Sequence, residues 1–252
     1  WQSNAILLAF AGIAHQSYND NVEETLRLNK KALVVDPDNV EIRWNLALTQ
    51  LRHGELREGV ENYKVRFDWT EFPSPRRKFD VPKWHEGVNK YSRILIWSEQ
   101  GIADEILFGT ALNAFAEAFP NLIFETHFKL PEVMARSFPD IHCRPGLFNE
   151  ETLKPVFDDY QFHVPLGDIF LWFISKNIEK IEAGETFNGL SYLKVDELRK
   201  KYWELKFDHE NGKPKVGFCW SSSILTDGRD MHHTQLEDWK SLLSRDDVDF
   251  VS

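Results

Sequence analysis

The stretch Ile94-Leu95-Ile96-Trp97-Ser98-Glu99-Gln100-Gly101-Ile102-Ala103-Asp104-Glu105-Ile106-Leu107-Phe108 constrains this chain more than any other. A short apolar run stops at a glycine turn, and a carboxylate then opens an apolar-periodic helix. A strand feeding a helix through such a turn belongs to an open α/β sheet, where ligands bind beyond the carboxyl ends of the strands. From Tyr91 onward the alternation continues. The pattern predicts strands at Arg93 to Ser98, Leu122 to Thr126, Ile141 to Arg144, Tyr160 to Val164 and Lys215 to Ser221. Helices are predicted near Asp104 to Phe119, Pro131 to Phe138, Gly167 to Ile174, Val195 to Phe207 and Gln235 to Leu243. Strands separated by helices indicate βαβ units and a mostly parallel sheet. The break His209-Glu210-Asn211-Gly212-Lys213-Pro214 precedes a fresh apolar strand, Val216 to Trp220, which reads as the start of a second α/β domain.

Upstream of Arg93 the period is helical. Four helices are predicted, near Ala5 to Gln16, Val22 to Val35, Val40 to just before His53, and Leu56 to Phe67. Small residues at Ala47 and Gly59 allow paired helices to approach closely, while Trp44, Leu46, Leu56 and Tyr63 fill the groove between pairs. Between Thr70 and Asn89, Pro73, Pro75 and Pro82 exclude a regular helix. Phe72, Phe79 and Trp84 are the aromatic anchors there, and they predict a connector packed onto both flanking domains.

Composition removes several classes of function. The net charge is −10, from 40 acidic and 30 basic residues, and no basic block occurs, so no nucleic-acid partner is expected. No run approaches the ~18 apolar residues of a membrane span. The longest apolar stretch, Ala5 to Ala14, lacks the basic flank and cleavage site of a signal peptide. Cys143 and Cys219 form neither a disulfide framework nor a metal site; both are predicted to be buried small hydrophobes, which fits a cytoplasmic protein. No dinucleotide-binding or phosphate-loop glycine motif is present. Trp1 at the start and Asp249-Phe250-Val251-Ser252 at the end, read as a strand cut off in mid-sheet, suggest a piece of a longer protein.

Two resemblances sharpen this. Asp36-Pro37-Asp38-Asn39, Trp44-Asn45-Leu46-Ala47, Gly54-Glu55-Leu56, Gly59 and Tyr63 resemble a tetratricopeptide repeat, with Ala32 and Pro37 fitting the end of a preceding one. The resemblance implies a groove that binds a protein or peptide, and further repeats before Trp1. Adding Phe72-Pro73-Ser74-Pro75-Arg76-Arg77, Trp84, Glu99 to Asp104, Ser191-Tyr192-Leu193 and Val216 to Ser221, the chain resembles bacterial proteins that fuse such repeats to a GT-B glycosyltransferase-like domain. That domain is related to the heptosyltransferases of glycosyltransferase family 9.

The implied fold class is α plus α/β: helical hairpins over 1–69, a connector over 70–90, a Rossmann-like acceptor-side domain over 91–212 and the beginning of a donor-side domain over 213–252. The implied reaction moves a sugar from a nucleotide-diphosphate donor to a hydroxyl acceptor, with no resident cofactor and no metal. Asp104 matches the residue that takes the acceptor's proton, and Glu99, Gln100 and Gly101 would shape the acceptor pocket. Ser221, Ser222 and Arg229 would hold the donor phosphates. Ala103 stands where the family usually has glycine, and its methyl group crowds an approaching substrate. Competing readings remain open: Asp104 as a helix cap, Ser221 to Arg229 as a polar surface loop, and the chain as a non-catalytic binding module. With most of the donor half absent, these 252 residues are expected to be inactive alone.

Overall fold

A computed structural model describes residues 2–19, 21–185, 191–207, 212–221 and 233–251. The chain divides into two compact units, Trp1–Lys194 and Val195–Ser252. The helical hairpins and the sheet therefore share one unit, and the division falls before the 212/213 boundary read from the sequence.

The first unit opens with α1 (Gln2–Asn19), α2 (Val22–Val35), α3 (Val40–His53) and α4 (Leu56–Tyr63). Their ends follow from local chemistry. The Asn21 side chain accepts the Glu24 N–H at 3.0 Å and the Asn39 side chain accepts the Ile42 N–H at 3.1 Å, satisfying donors that helix starts leave open. Gly54 closes α3 in the left-handed region, φ 84°. Ala47 is fully buried, and a Cβ on Gly59 would lie 2.9 Å from Leu51 Cδ2, so the close approach of α3 and α4 needs these small residues. Trp44 and Tyr63 pack with Phe72 and Leu171 into the hairpin core. The fourth helix is shorter than the sequence suggests. It tightens into a 3-10 turn over Lys64–Asp68. Three residues per turn put Tyr63, Arg66 and Trp69 on one side, and Arg66 is thereby turned inward.

The sheet contains β1 (Ile94–Trp97), β2 (Leu122–Thr126), β3 (His142–Pro145) and β4 (Phe162–Pro165), all parallel, in the order β3-β2-β1-β4. Ile94 pairs with Leu122 on one side and Phe162 on the other. Every residue of β1 and β2 is buried, the near-continuous burial that a parallel sheet covered on both faces requires. Helices α5 (Ile102–Gly109), α6 (Leu112–Ala118), α7 (Pro131–Ser137) and α8 (Leu166–Glu182) follow the strands. One face of the sheet, with Ile94, Ile96 and Phe124, packs against Phe115, Met134 and Ile169. The other presents Leu95, Ile123 and Tyr160, and the connector covers it with Phe79 and Val81.

All three aromatic anchors of the connector are thus seated, each in a different cluster: Phe72 among the hairpins, Phe79 on the second sheet face and Trp84 against Phe115 at 4.9 Å. The connector also runs beside β4, where the Trp84 backbone N–H donates to the His163 carbonyl at 2.8 Å.

The single helix expected from Asp104 to Phe119 is two. The Tyr192 hydroxyl donates to the Ile106 carbonyl at 2.6 Å, so the Thr110 N–H bonds Leu107 instead and the helix breaks. Gly109 makes room for that hydroxyl, since a Cβ there would sit 2.6 Å from it. Gly109→Ala is therefore expected to lower stability by about 1–2 kcal/mol, by overpacking and by loss of the hydrogen bond. Chemical denaturation checks this, with Tyr192→Phe as the partner variant: the alanine penalty should shrink in that background, and an unchanged penalty would remove Tyr192 as its cause.

The second unit holds α9 (Glu197–Phe207), β5 (Lys215–Gly217), a 3-10 turn at Leu236–Trp239, α10 (Lys240–Leu243) and β6 (Asp249–Val251). Strands β5 and β6 are parallel, with Lys215 opposite Asp249. The strand predicted to reach Ser221 stops at Gly217, and Phe218 turns in among Trp220, Trp239 and Phe250. Cys219 is exposed, not buried as expected, because it lies past the strand end; Cys143 is half-buried against the sheet core. Among the described residues no helix is long and apolar enough to cross a membrane.

Candidate functional site

The turn from β1 into α5 is the place the sequence singled out, and the structure shows what each of its residues does. Strand β1 ends at Trp97, and Glu99 follows, turned into the protein. Its carboxylate takes both arms of a guanidinium: Arg66 Nε and Nη2 donate to it at 2.6 Å each. The Gly167 N–H adds a third bond at 2.8 Å, and a Cβ on Gly167 would fall 2.3 Å from the same oxygen. Arg66 Nη2 also reaches Asp168 at 2.7 Å, and Asp168 meets Lys83 as well. Burial works against the Arg66 charge, but Glu99 and Asp168 outweigh it and hold the guanidinium above its ordinary pKa. Burial likewise would raise Asp168, yet Arg66 and Lys83 keep its carboxyl below the usual range.

This corrects the reading of Glu99 as an acceptor-pocket residue. Its side chain is 0% exposed and fully engaged. The strand order reverses between β1 and β4, and in open α/β sheets ligands settle outside the carboxyl ends there. In this chain the guanidinium of Arg66, delivered from the helical hairpins, fills that place.

Gln100 is pinned beside it. Its φ of 62° is unusual for a residue with a side chain. The backbone N–H donates to Ser74 Oγ and the side-chain amide donates to Tyr63 Oη at 2.8 Å. Both partners lie outside the sheet, one in the connector and one at the end of α4, so the turn is fastened from two directions. Such strain persists where surrounding contacts over-determine it.

Beyond Gln100 the turn opens to solvent. Gly101 is exposed and caps α5, and Asp104 Oδ2 accepts the Gly101 N–H at 3.0 Å. Asp104 is thus neither the N-cap nor the first helical residue, as its capping reading would place it; from the third helical position it reaches back to the N–H of the capping glycine. Among the described residues no hydrogen bond engages Oδ1, and the side chain is half-buried. Ala103 is exposed, on the outer side of the first helical turn.

The next residue, Glu105, was missed. It is 1% exposed, and Oε2 accepts the His127 N–H at 2.8 Å while Oε1 is buried with no hydrogen-bond partner among the described residues. Burial pushes its carboxyl up to about 7, with the His127 amide, Ser98 and Arg77 offsetting part of the rise. The signal was in the sequence: Glu105 shares a helix face with Phe108, Gly109 and Leu112, at spacings of three, four and seven.

A second buried cluster lies on the opposite sheet face. Glu125, 0% exposed, receives Arg77 Nη1 at 2.6 Å and Arg144 Nη2 at 2.9 Å. Arg77 comes from the connector, so here too a charge from outside the sheet is met at a strand end.

In the second unit, the Ser221 hydroxyl is exposed and lies 3.2 Å from His233 Nδ1. Ser222 and Arg229, the other expected phosphate contacts, lie outside the described residues. Among the described residues no group of three or more His, Cys, Asp or Glu side chains is arranged to hold a metal ion.

Fold and site together define a parallel α/β protein whose principal turn is braced by buried charge from a helical-hairpin region. The chain is similar to Protein FlbA of Caulobacter vibrioides, with 25% identity over 212 residues, 79% of this chain and 34% of that protein. It thus spans about a third of the length of the curated relative it matches. No protein-family model matches the chain, and no solved structure matches it.

Proposed function

We propose that this chain is part of a sugar-transferring protein of the GT-B type, with tetratricopeptide-type hairpins that bind a protein or peptide partner. The reaction is transfer of a sugar from a nucleotide-diphosphate donor to a hydroxyl acceptor. One observation carries the reading: Asp104 stands in the first turn of α5, directly beyond the carboxyl end of β1, with one carboxylate oxygen spent on the helix start and the other unengaged among the described residues. A general base needs such an oxygen within reach of the attacking hydroxyl. The parallel β5–β6 pair supports a second nucleotide-type domain, and Ser221 at its edge is the described member of the expected phosphate contacts.

Asp104→Asn in the full-length protein is expected to reduce sugar transfer by about 10²–10⁴-fold. The asparagine oxygen can still accept the Gly101 N–H, so folding is preserved. Loss of less than threefold, measured as radiolabelled sugar incorporated into the acceptor, rejects Asp104 as the base.

A second reading has its own support. Glu99 is sealed beneath Arg66 and Gln100 is tied to Tyr63 and Ser74, so two of the three expected acceptor-pocket groups are spent within the chain. A non-catalytic protein that uses its α/β domain as a rigid platform would be built in this way. Calorimetry of the full-length protein with nucleoside diphosphates separates the two: no binding at millimolar ligand favours the platform.

A further inference from the structure

A second place in the first unit has the makings of a site. Where α4, the connector and α8 meet, the surface forms an open hollow of about 490 Å³, within the range of small-ligand sites. Trp84 and Trp172 form its aromatic wall, their rings 6.3 Å apart and nearly perpendicular at 89°, with Leu171 beside them. Both indole N–H groups are buried and lack an acceptor among the described residues. The half-buried rings therefore offer the hollow carbon surface, not donors.

The rim carries His85 and a set of paired charges. Lys64 Nζ holds Glu61 at 2.6 Å, Lys83 holds Asp168, and Glu86 on the rim is held by Lys176 at 2.7 Å. A charged ligand would have to break one of these pairs to find a counter-ion. A purely apolar ligand would strip water from the ring of ions without replacing its hydrogen bonds. A pyranose suits both parts: one face of C–H groups to lie on the indoles, and a girdle of hydroxyls that each donate and accept, matching alternating ammonium and carboxylate groups.

We propose that this hollow binds a neutral saccharide of one or two pyranose rings. The site does not depend on the transfer reaction proposed above, because it uses neither Asp104 nor Ser221, and a failure here leaves that reading standing.

The test is nitrogen-15 NMR of the tryptophan side chains, titrating the protein with glucose, N-acetylglucosamine and the β1,4-linked dimer of each up to about 20 mM. Trp172→Phe assigns one of the two indole signals. At least one sugar is expected to shift the Trp84 and Trp172 signals saturably, with a dissociation constant of about 1–10 mM. Ser175→Trp places a bulky group at an exposed point of the rim and should abolish the shifts while leaving other signals in place. Glu86→Ala removes an exposed ion pair with little effect on stability, and should weaken binding at least threefold. The proposal is overturned if none of the four sugars shifts these signals, if the shifts persist in both rim variants, or if choline or glutamate shifts them at lower concentration than any sugar.

Discussion

Arg66→Leu is expected to lower the stability of the first unit by about 3–5 kcal/mol, the cost of leaving a buried ion pair half made. Arg66 is 1% exposed and Glu99 is 0% exposed, so neither side chain has water to turn to when its partner is lost. The substitution strands two carboxylates at once: among the described residues, Glu99 keeps the Gly167 N–H alone and Asp168 keeps Lys83 alone. Leucine fills part of the volume but supplies none of the three charge-assisted contacts. Lysine does not rescue the arrangement fully, because a single ammonium cannot match the two-armed geometry that Nε and Nη2 present to Glu99 at 2.6 Å.

Urea denaturation followed by circular dichroism measures the loss. A double variant, Arg66→Leu with Glu99→Gln, should recover part of it, since the amide needs no counter-charge; the coupling identifies the charge, and not the packing, as the cause. A loss below about 1 kcal/mol in Arg66→Leu would mean that the pair is hydrated or replaced, and that it does not join the hairpins to the sheet. The same experiment bears on function. Arg66 and Tyr63 come from the hairpins and hold Glu99 and Gln100, the residues immediately before the helix that carries Asp104. The helical region is therefore a structural support of the candidate site as well as a candidate partner-binding surface.

What could be read from the sequence follows from which signals are local. The two central strands were legible because their runs are mainly apolar: β1 is Ile94–Trp97, and β2 falls at Leu122–Thr126 as the pattern predicts. The connector's anchors were legible because prolines leave aromatic residues little to do but pack; Phe72, Phe79 and Trp84 are each seated in a core. The buried charges were not. Glu99 and Arg66 are 33 residues apart, Glu125 and Arg77 are 48 apart, and no periodic pattern connects a lone charge to its distant partner. A buried glutamate beside a glycine turn therefore looks like a ligand contact until the arginine that neutralises it is located. The break between α5 and α6 was hidden for the same reason, since it depends on a hydroxyl 86 residues downstream of the carbonyl it captures.

Glu105 supplies the other large expected effect, and its sign is opposite to that of an ordinary surface carboxylate. In the unfolded chain its carboxyl ionises near 4.5; in the folded protein burial pushes it up to about 7. Between those values the folded state retains a proton that the unfolded state has released. The stability it confers is complete below pH ~4.5 and is lost as pH rises through ~7, by about 3 kcal/mol in total. The groups around it do not reverse this. His127 contributes a backbone N–H, Ser98 a hydroxyl, and Arg77 a cation already bound to Glu125, while Cys143 and Tyr192, with burial pushing each up to about 12, stay neutral across the range. Glu105→Gln keeps an oxygen for the His127 N–H and removes the ionisation. At pH 5 the variant should match the parent within about 1 kcal/mol, and at pH 8 it should be more stable by about 2–3 kcal/mol. Denaturation midpoints measured across this range decide the matter. Parallel curves for the two proteins would show that Glu105 is already ionised in the folded state, and would require a cation beside Oε1.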